Sequence, residues 1–141
     1  MTMSLTPEER QEVFGDNDPA QYAEEVEQRW GQTEAYQESQ RRTSTYTKQD
    51  WQRINAEAAE ISNRLAGLMS AGAAPGSAEA MDAAERHRQH IVRWFYDCPL
   101  EMHRGLGDMY VTDPRFTATY EAITPGLAQF IRDAIHANAS R

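Results

Sequence analysis

The strongest constraint on the fold lies in residues 51–68, where Trp51, Ile54, Ala58, Ile61, Leu65 and Leu68 recur every three or four positions. A helix turns about 100° per residue, so this spacing places all six side chains on one stripe and predicts a long amphipathic helix. Thr47 stands where an N-cap belongs. The loop SAGAAPGS (70–77) ends the helix, since glycine and proline punctuate a helical pattern. The same period marks helices over 78–97, from Pro99 to about Val111, and from Pro125 to Asn138. The last of these buries Leu127, Phe130, Ile131, Ala134 and Ile135. Near the N-terminus, Thr6-Pro7-Glu8-Glu9 has the form of a capping box with proline in the first turn, and Gly15 closes that helix. Pro19 to about Trp30 reads as a further helix, with Tyr22, Val26 and Trp30 on one stripe, and Arg41 to Thr47 as a linker. No period-2 pattern occurs, so the expected fold is all-α.

Composition divides the chain in two. Residues 1–50 hold 11 acidic and 5 basic residues, against 11 and 9 in residues 51–141. The first segment is poor in aliphatics yet carries Phe14, Tyr22, Trp30, Tyr36 and Tyr46. Such a segment has little apolar surface to offset its ordering entropy, while its aromatics can close over a flat ligand or pack on the main body. The net charge of −8 repels a phosphate backbone, so direct nucleic-acid binding is not expected. No apolar run approaches the roughly 20 residues of a membrane span, the first residues lack a secretory pattern, and one cysteine forms no internal disulfide. The expected location is the cytoplasm.

The residues that carry chemistry concentrate between Arg86 and Phe116, which contain His87, His90, His103, Trp94 and the only cysteine, Cys98. On helix 78–97 the stripe Ile91, Ala84, Phe95, Met81 and Val92 continues into a flank of Cys98, His87, Trp94 and His90. Together they span about 200°, where an ordinary surface helix shows roughly 100°. The stripe suits a core, and the more polar flank suits the lining of a cleft. Pro99 fits the first position of the next helix, which leaves Cys98 near its N-cap; the helix dipole favours the thiolate there, and Asp97 and Glu101 oppose it. Cys98 reads equally as a small buried hydrophobe. In the next helix Met102, Leu106 and Met109 share a face with Tyr110 beside them, and Gly105 and Gly107 permit close helix approach. Methionines adapt to varied shapes. His87-x-x-His90 with Cys98 and His103 has no compact zinc spacing, and no phosphate loop or catalytic triad is legible, so neither a metal nor a cofactor nor catalysis is expected.

The ordered set of blocks LTPEERQEVFGD (5–16), the region around Trp30-Gly31, STYTKQDWQRI (44–54), AMDAAERHRQ (80–89), YDCPLEMH (96–103), LGDMYVTDPRF (106–116) and PGLAQFIRDAIHAN (125–138) strongly resembles the TipAS family. That family is the antibiotic-recognition domain of thiopeptide-responsive MerR-type regulators. The resemblance implies a globin-like helical fold with a deep cleft, a flexible N-terminal lid (residues 1–50) over a binding core (residues 51–141), and macrocyclic thiopeptides such as thiostrepton as ligands. It implies a non-enzymatic role in sequestration-type resistance or as an effector domain of a drug-responsive activator. Dehydroalanine tails of such ligands add to thiols, and Cys98 matches a family cysteine; some members carry a second one where this chain has Gly105. Neither the winged helix nor the coiled coil of the longer regulators is present in the sequence, so the chain resembles either the stand-alone form or an effector domain separated from a longer regulator. Combining the resemblance with the helix-face reading, the expected ligand contacts are Phe14, Tyr22, Trp30, His87, His90, Trp94, Cys98, Met102, Met109 and Tyr110, with Cys98 as the point of covalent attachment if one forms. A haem or tetrapyrrole carrier is the alternative that a globin-like fold and several histidines suggest, and a cysteine-dependent enzyme acting on electrophiles is a third.

Overall fold

The computed structural model describes residues 5–14 and 33–141, which contain seven helices and no strand. In chain order these are α1 (Pro7–Phe14), α2 (Glu34–Thr43), α3 (Lys48–Ser70), α4 (Ala78–Trp94), α5 (Leu100–Thr112), α6 (Pro114–Glu121) and α7 (Leu127–Ser140). The helix expected over Pro19–Trp30 lies outside the described residues.

Local chemistry explains most boundaries. At α1 the Thr6 hydroxyl accepts from the Glu9 amide at 3.1 Å, and the Glu9 carboxylate accepts from the Thr6 amide at 3.0 Å. This is the expected capping box, and it supplies two of the donors a helix start leaves unpaired. Thr47 and Asp50 repeat the device at α3, with bonds of 2.9 and 3.2 Å. Between α3 and α4, Gly72 adopts φ +84°, and the Ser77 hydroxyl accepts from the Ala80 amide at 3.3 Å.

The structure corrects four of the expected boundaries. The linker read at Arg41–Thr47 is half helix, because α2 runs to Thr43. Thr33 caps that helix, and Glu38 pairs with Arg41 and Arg42 one turn on. With no apolar stripe, α2 is set by side-chain pairing that periodicity does not register. Helix α4 stops at Trp94 rather than Asp97: the Phe95 and Tyr96 amides both reach the Ile91 carbonyl, at 2.8 and 3.2 Å, and the chain turns away before Pro99. Pro99 is the N-cap of α5 (φ −61°, ψ 162°) rather than its first helical residue, so Cys98 lies one step outside the helix. Helix α7 starts at Leu127, after Gly126 at φ +90°.

The short α6 has no counterpart in the hydrophobic pattern. It begins at Asp113-Pro114, an N-cap followed by proline at N1, and Asp113 accepts from the Arg115 amide at 3.0 Å.

The chain forms two compact units. One spans 1–57 and 91–97; its core is Leu5, Trp51, Ile54 and Trp94, flanked by Val13, Phe14, Tyr46 and Phe95. The other spans 58–90 and 98–141. Its core joins the far end of the α3 stripe (Ile61, Leu65, Leu68) to Ala80, Ala83 and Ala84 of α4, Tyr110 of α5 and the expected buried face of α7. Leu65, Leu127, Ile131 and Ile135 are at most 1% exposed, and fully burying each contributes roughly 1.5–3 kcal/mol. The two glycines of α5 differ in use. A Cβ on Gly107 would lie 3.4 Å from Ile135 Cγ2 and 3.5 Å from the Arg132 backbone, so α5 meets α7 there; Gly105 has nothing within 4 Å.

Candidate functional site

Two clusters hold the aromatic and titratable side chains that the sequence singled out. The first is the aromatic core of the 1–57/91–97 unit. Trp51 makes T-shaped pairs with Phe14, centroids 5.2 Å apart at 68°, and with Tyr46 at 5.9 Å; Phe95 lies tilted at 6.2 Å. Tyr46 stands perpendicular to Trp94 at 5.5 Å, and Arg93 lies over the Trp94 ring, 4.9 Å from its centroid. Edge-to-face pairs of this kind add about 0.5–1.5 kcal/mol each beyond buried area.

Polar groups at this cluster are nearly all engaged. The Tyr46 hydroxyl donates to the Trp94 carbonyl, the Trp94 indole donates to Glu57 at 2.8 Å, and Arg42 donates to the Val92 carbonyl at 2.7 Å. The Trp51 indole nitrogen is the exception: it is fully buried and has no acceptor. An unpaired buried donor of this kind costs about 1–3 kcal/mol.

Helix α1 joins the cluster through Phe14 and Val13, and is otherwise tied down by an Asn55 side chain donating to the Val13 carbonyl at 3.1 Å and a Lys48–Glu12 ion pair. No residue within α1 itself is fully buried.

The second cluster belongs to the other unit and centres on two histidines. His87 Nδ1 lies 2.8 Å from His103 Nε2, with the rings stacked at 5.1 Å and Tyr110 edge-on to His87 at 5.8 Å. His103 is fully buried, and its Nδ1 has no partner. The tautomer follows: a proton on Nδ1 would be a buried unpaired donor, so the proton sits on His103 Nε2 and is donated to His87 Nδ1. Burial holds the His87 pKa down at about 3, helped by the neighbouring His103 and His90. Burial likewise lowers His103 to about 4, with Arg88 adding and Glu85 opposing. Both imidazoles are neutral at physiological pH.

Glu85 accepts from Arg88, Gln89 and Asn138 at 2.6–3.0 Å. The Arg88 hydrogen bonds lead in lowering its pKa to about 2, against burial. Arg88 also donates to the Cys98 carbonyl at 2.9 Å, which anchors the turn between α4 and α5. Tyr110 packs against Phe116 and Tyr120, and burial pushes the Tyr120 hydroxyl up to about 12.

The expected contact residues therefore scatter. Phe14 and Trp94 enter the first cluster, and His87 and Tyr110 the second. Cys98 is fully buried, Met102 is 39% exposed, and His90 and Met109 are half-buried. Tyr22 and Trp30 lie outside the described residues. Trp51 and Tyr46 were missed as site residues: the 3–4 spacing accounts for Trp51 as ordinary core, and no pattern reveals an unpaired indole. Among the described residues no three His, Cys, Asp or Glu side chains gather to hold a metal ion, and no helix is long and apolar enough to cross a membrane.

Comparison with known proteins now fixes the family. The TipAS antibiotic-recognition domain matches residues 22–138. The HTH-type transcriptional activator TipA of Streptomyces coelicolor is 58% identical over 141 residues, all of this chain and 56% of its own length. The HTH-type transcriptional activator mta of Bacillus subtilis is 43% identical over 114 residues, 81% of this chain and 43% of its own. The chain thus spans about half the length of these curated relatives. TipAS from Streptomyces lividans, solved in complex with nosiheptide as part of a thiopeptide antibiotic multidrug resistance system, superposes with a TM-score of 0.91 at 58% identity, covering 99% of this chain and 97% of that one. The antibiotic-binding domain of a TipA-class multidrug resistance transcriptional regulator gives 0.60 at 57% identity, covering 64% of this chain and 97% of that one. The expected all-α, globin-like class is borne out, and the chain belongs to the TipAS antibiotic-recognition domain family.

Proposed function

We propose that this chain binds macrocyclic thiopeptide antibiotics of the nosiheptide class, with residues 51–141 as the binding core and residues 1–50 as a lid segment. The supporting observation is the likeness, over 99% of the chain, to a TipAS structure solved with nosiheptide. The aromatic cluster around Trp51 suits a flat heteroaromatic ligand, and α1, which buries no residue fully, is an element a ligand can displace at low cost. The role is recognition rather than catalysis. In a longer protein such as the TipA relatives, binding would report to a DNA-reading segment; by itself this chain would sequester the drug.

Capture through Cys98 would need the turn between α4 and α5 to open, because Cys98 is fully buried and Arg88 holds its carbonyl. Reversible binding is therefore the form proposed. A haem carrier is less favoured, since the TipAS structure matched over 99% of this chain was solved with nosiheptide.

Calorimetric titration with nosiheptide tests the reading, with saturable one-to-one binding expected and retained in Cys98→Ala. Intact mass spectrometry of the complex should show the unmodified protein. Absence of binding to nosiheptide and thiostrepton alike, with stoichiometric haem uptake giving a Soret band, would replace it with the alternative.

A further inference from the structure

We propose that the Trp51 indole N–H is a specificity-determining donor for the ligand, reading an amide carbonyl or an azole nitrogen of a flat heteroaromatic group lodged against the Trp51 ring. The inference rests on the thiopeptide reading and adds to it a named atom and the chemistry that atom selects.

Three observations carry it. Of the two described tryptophans, both core residues of the same cluster, Trp94 donates its indole proton to Glu57 at 2.8 Å, whereas Trp51, 4% exposed, has no acceptor for its own. The Tyr46 hydroxyl beside it is also engaged. A core that supplies partners for its other polar groups but leaves one indole donor unpaired has a position that a ligand acceptor can improve.

The ring around that donor is a stacking platform: Phe14, Tyr46 and Phe95 lie within 6.2 Å of it, all edge-on or tilted. Planar heterocycles pack well against such rings. The third observation is α1. It brings Phe14 to Trp51 and buries no residue of its own fully; the Asn55–Val13 hydrogen bond and the Lys48–Glu12 ion pair are among its ties, and its withdrawal takes Phe14 off the Trp51 ring.

Thiopeptides are rich in amide carbonyls and in thiazole-type rings whose nitrogens accept hydrogen bonds. Their flat rings replace Phe14 against Trp51, and the donor gains its acceptor only in the complex. The gain is specific, since a site built to hydrogen-bond a ligand rejects an isostere lacking the acceptor.

The test compares the full chain carrying tryptophan or benzothienylalanine at position 51, which replaces the N–H by sulfur at nearly constant shape. With nosiheptide as probe, the analogue should bind about tenfold more weakly, while its unliganded thermal midpoint stays equal or rises, because an unpaired donor has been removed. In the unsubstituted protein labelled with ¹⁵N-indole, the Trp51 ring proton should move downfield and exchange more slowly on saturation with nosiheptide. Equal affinity for both proteins, or an unmoved Trp51 indole resonance in the saturated complex, overturns the assignment while leaving thiopeptide binding intact. Failure of the unsubstituted chain to bind nosiheptide sinks both.

Discussion

His87 Nδ1 and His103 Nε2 share one hydrogen bond of 2.8 Å between stacked rings; a proton on His87 Nδ1 would break it, and burial opposes charging either imidazole near neutrality. The pair joins α4 to α5 inside the 58–90/98–141 unit and makes its stability sensitive to acid.

The sign follows from linkage. Both histidines titrate near 6.5 when unfolded but at about 3 and about 4 when folded. Above pH 6.5 both states are neutral and contribute nothing; below it the unfolded chain binds protons that the folded chain refuses. Stability should fall from pH 6.5 toward pH 4, by at most about 1.4 kcal/mol per pH unit for each histidine. Glu85, lowered to about 2, extends the loss below pH 4.5. Urea unfolding across pH 4–7 checks this. His103→Gln should flatten the slope between pH 6.5 and 4; an unchanged slope would show that these imidazoles are not the linked groups.

Gly105 and Gly107 are two residues apart on α5 and should respond oppositely to bulk. Gly105 faces open space, so Gly105→Ala gains helix propensity and should raise stability by about 0.5–1 kcal/mol. Gly107→Val drives branched carbons into Ile135 and the Arg132 backbone and should cost about 1–3 kcal/mol. Chemical denaturation of the two variants decides it.

Gly126 holds φ +90° at the N-cap of α7, and its amide donates to the Glu121 carboxylate at 3.0 Å. Glu121 also accepts from the Ala128 amide at 3.2 Å, and these backbone donors lower its pKa. Gly126→Ala places a Cβ in a conformation L-residues rarely adopt and should lower stability by about 1–3 kcal/mol. A thermal midpoint equal to that of the parent would contradict the left-handed assignment.

Cys98, fully buried, should react with Ellman's reagent only as fast as its surroundings open. We expect slow labelling of the native protein and prompt labelling in guanidinium. Arg88→Met removes the donor to the Cys98 carbonyl and should accelerate native labelling several-fold. Prompt labelling of the unaltered protein would revive covalent capture.

What the sequence shows well is what short-range physics governs. The α3 stripe, the buried face of α7, the capping box at Thr6, the N-cap at Thr47 and the 70–77 loop all follow from spacing and local donors, and the structure has each where expected. Helix α2 escapes because ion pairs rather than an apolar face define it, and α6 because two turns are too short to build a period. The site is legible only as an inventory. Its histidines, tryptophans and cysteine are conspicuous between Arg86 and Phe116, but spacing along one helix does not say which of them meet.

By itself, then, the sequence determined an all-α chain, its principal helices and the family to which its ordered motifs belong, because periodicity, capping and motif order are properties of neighbours along the chain. Only the tertiary structure decided that His87 faces His103, that Cys98 is buried with its carbonyl held by Arg88, and that Trp94 finds an acceptor where Trp51 finds none. These pairings join residues 10 to 37 positions apart. Whether a polar atom is paired or left alone depends on what packing brings to it, and that is set by the whole fold rather than by the residue's own surroundings in the chain.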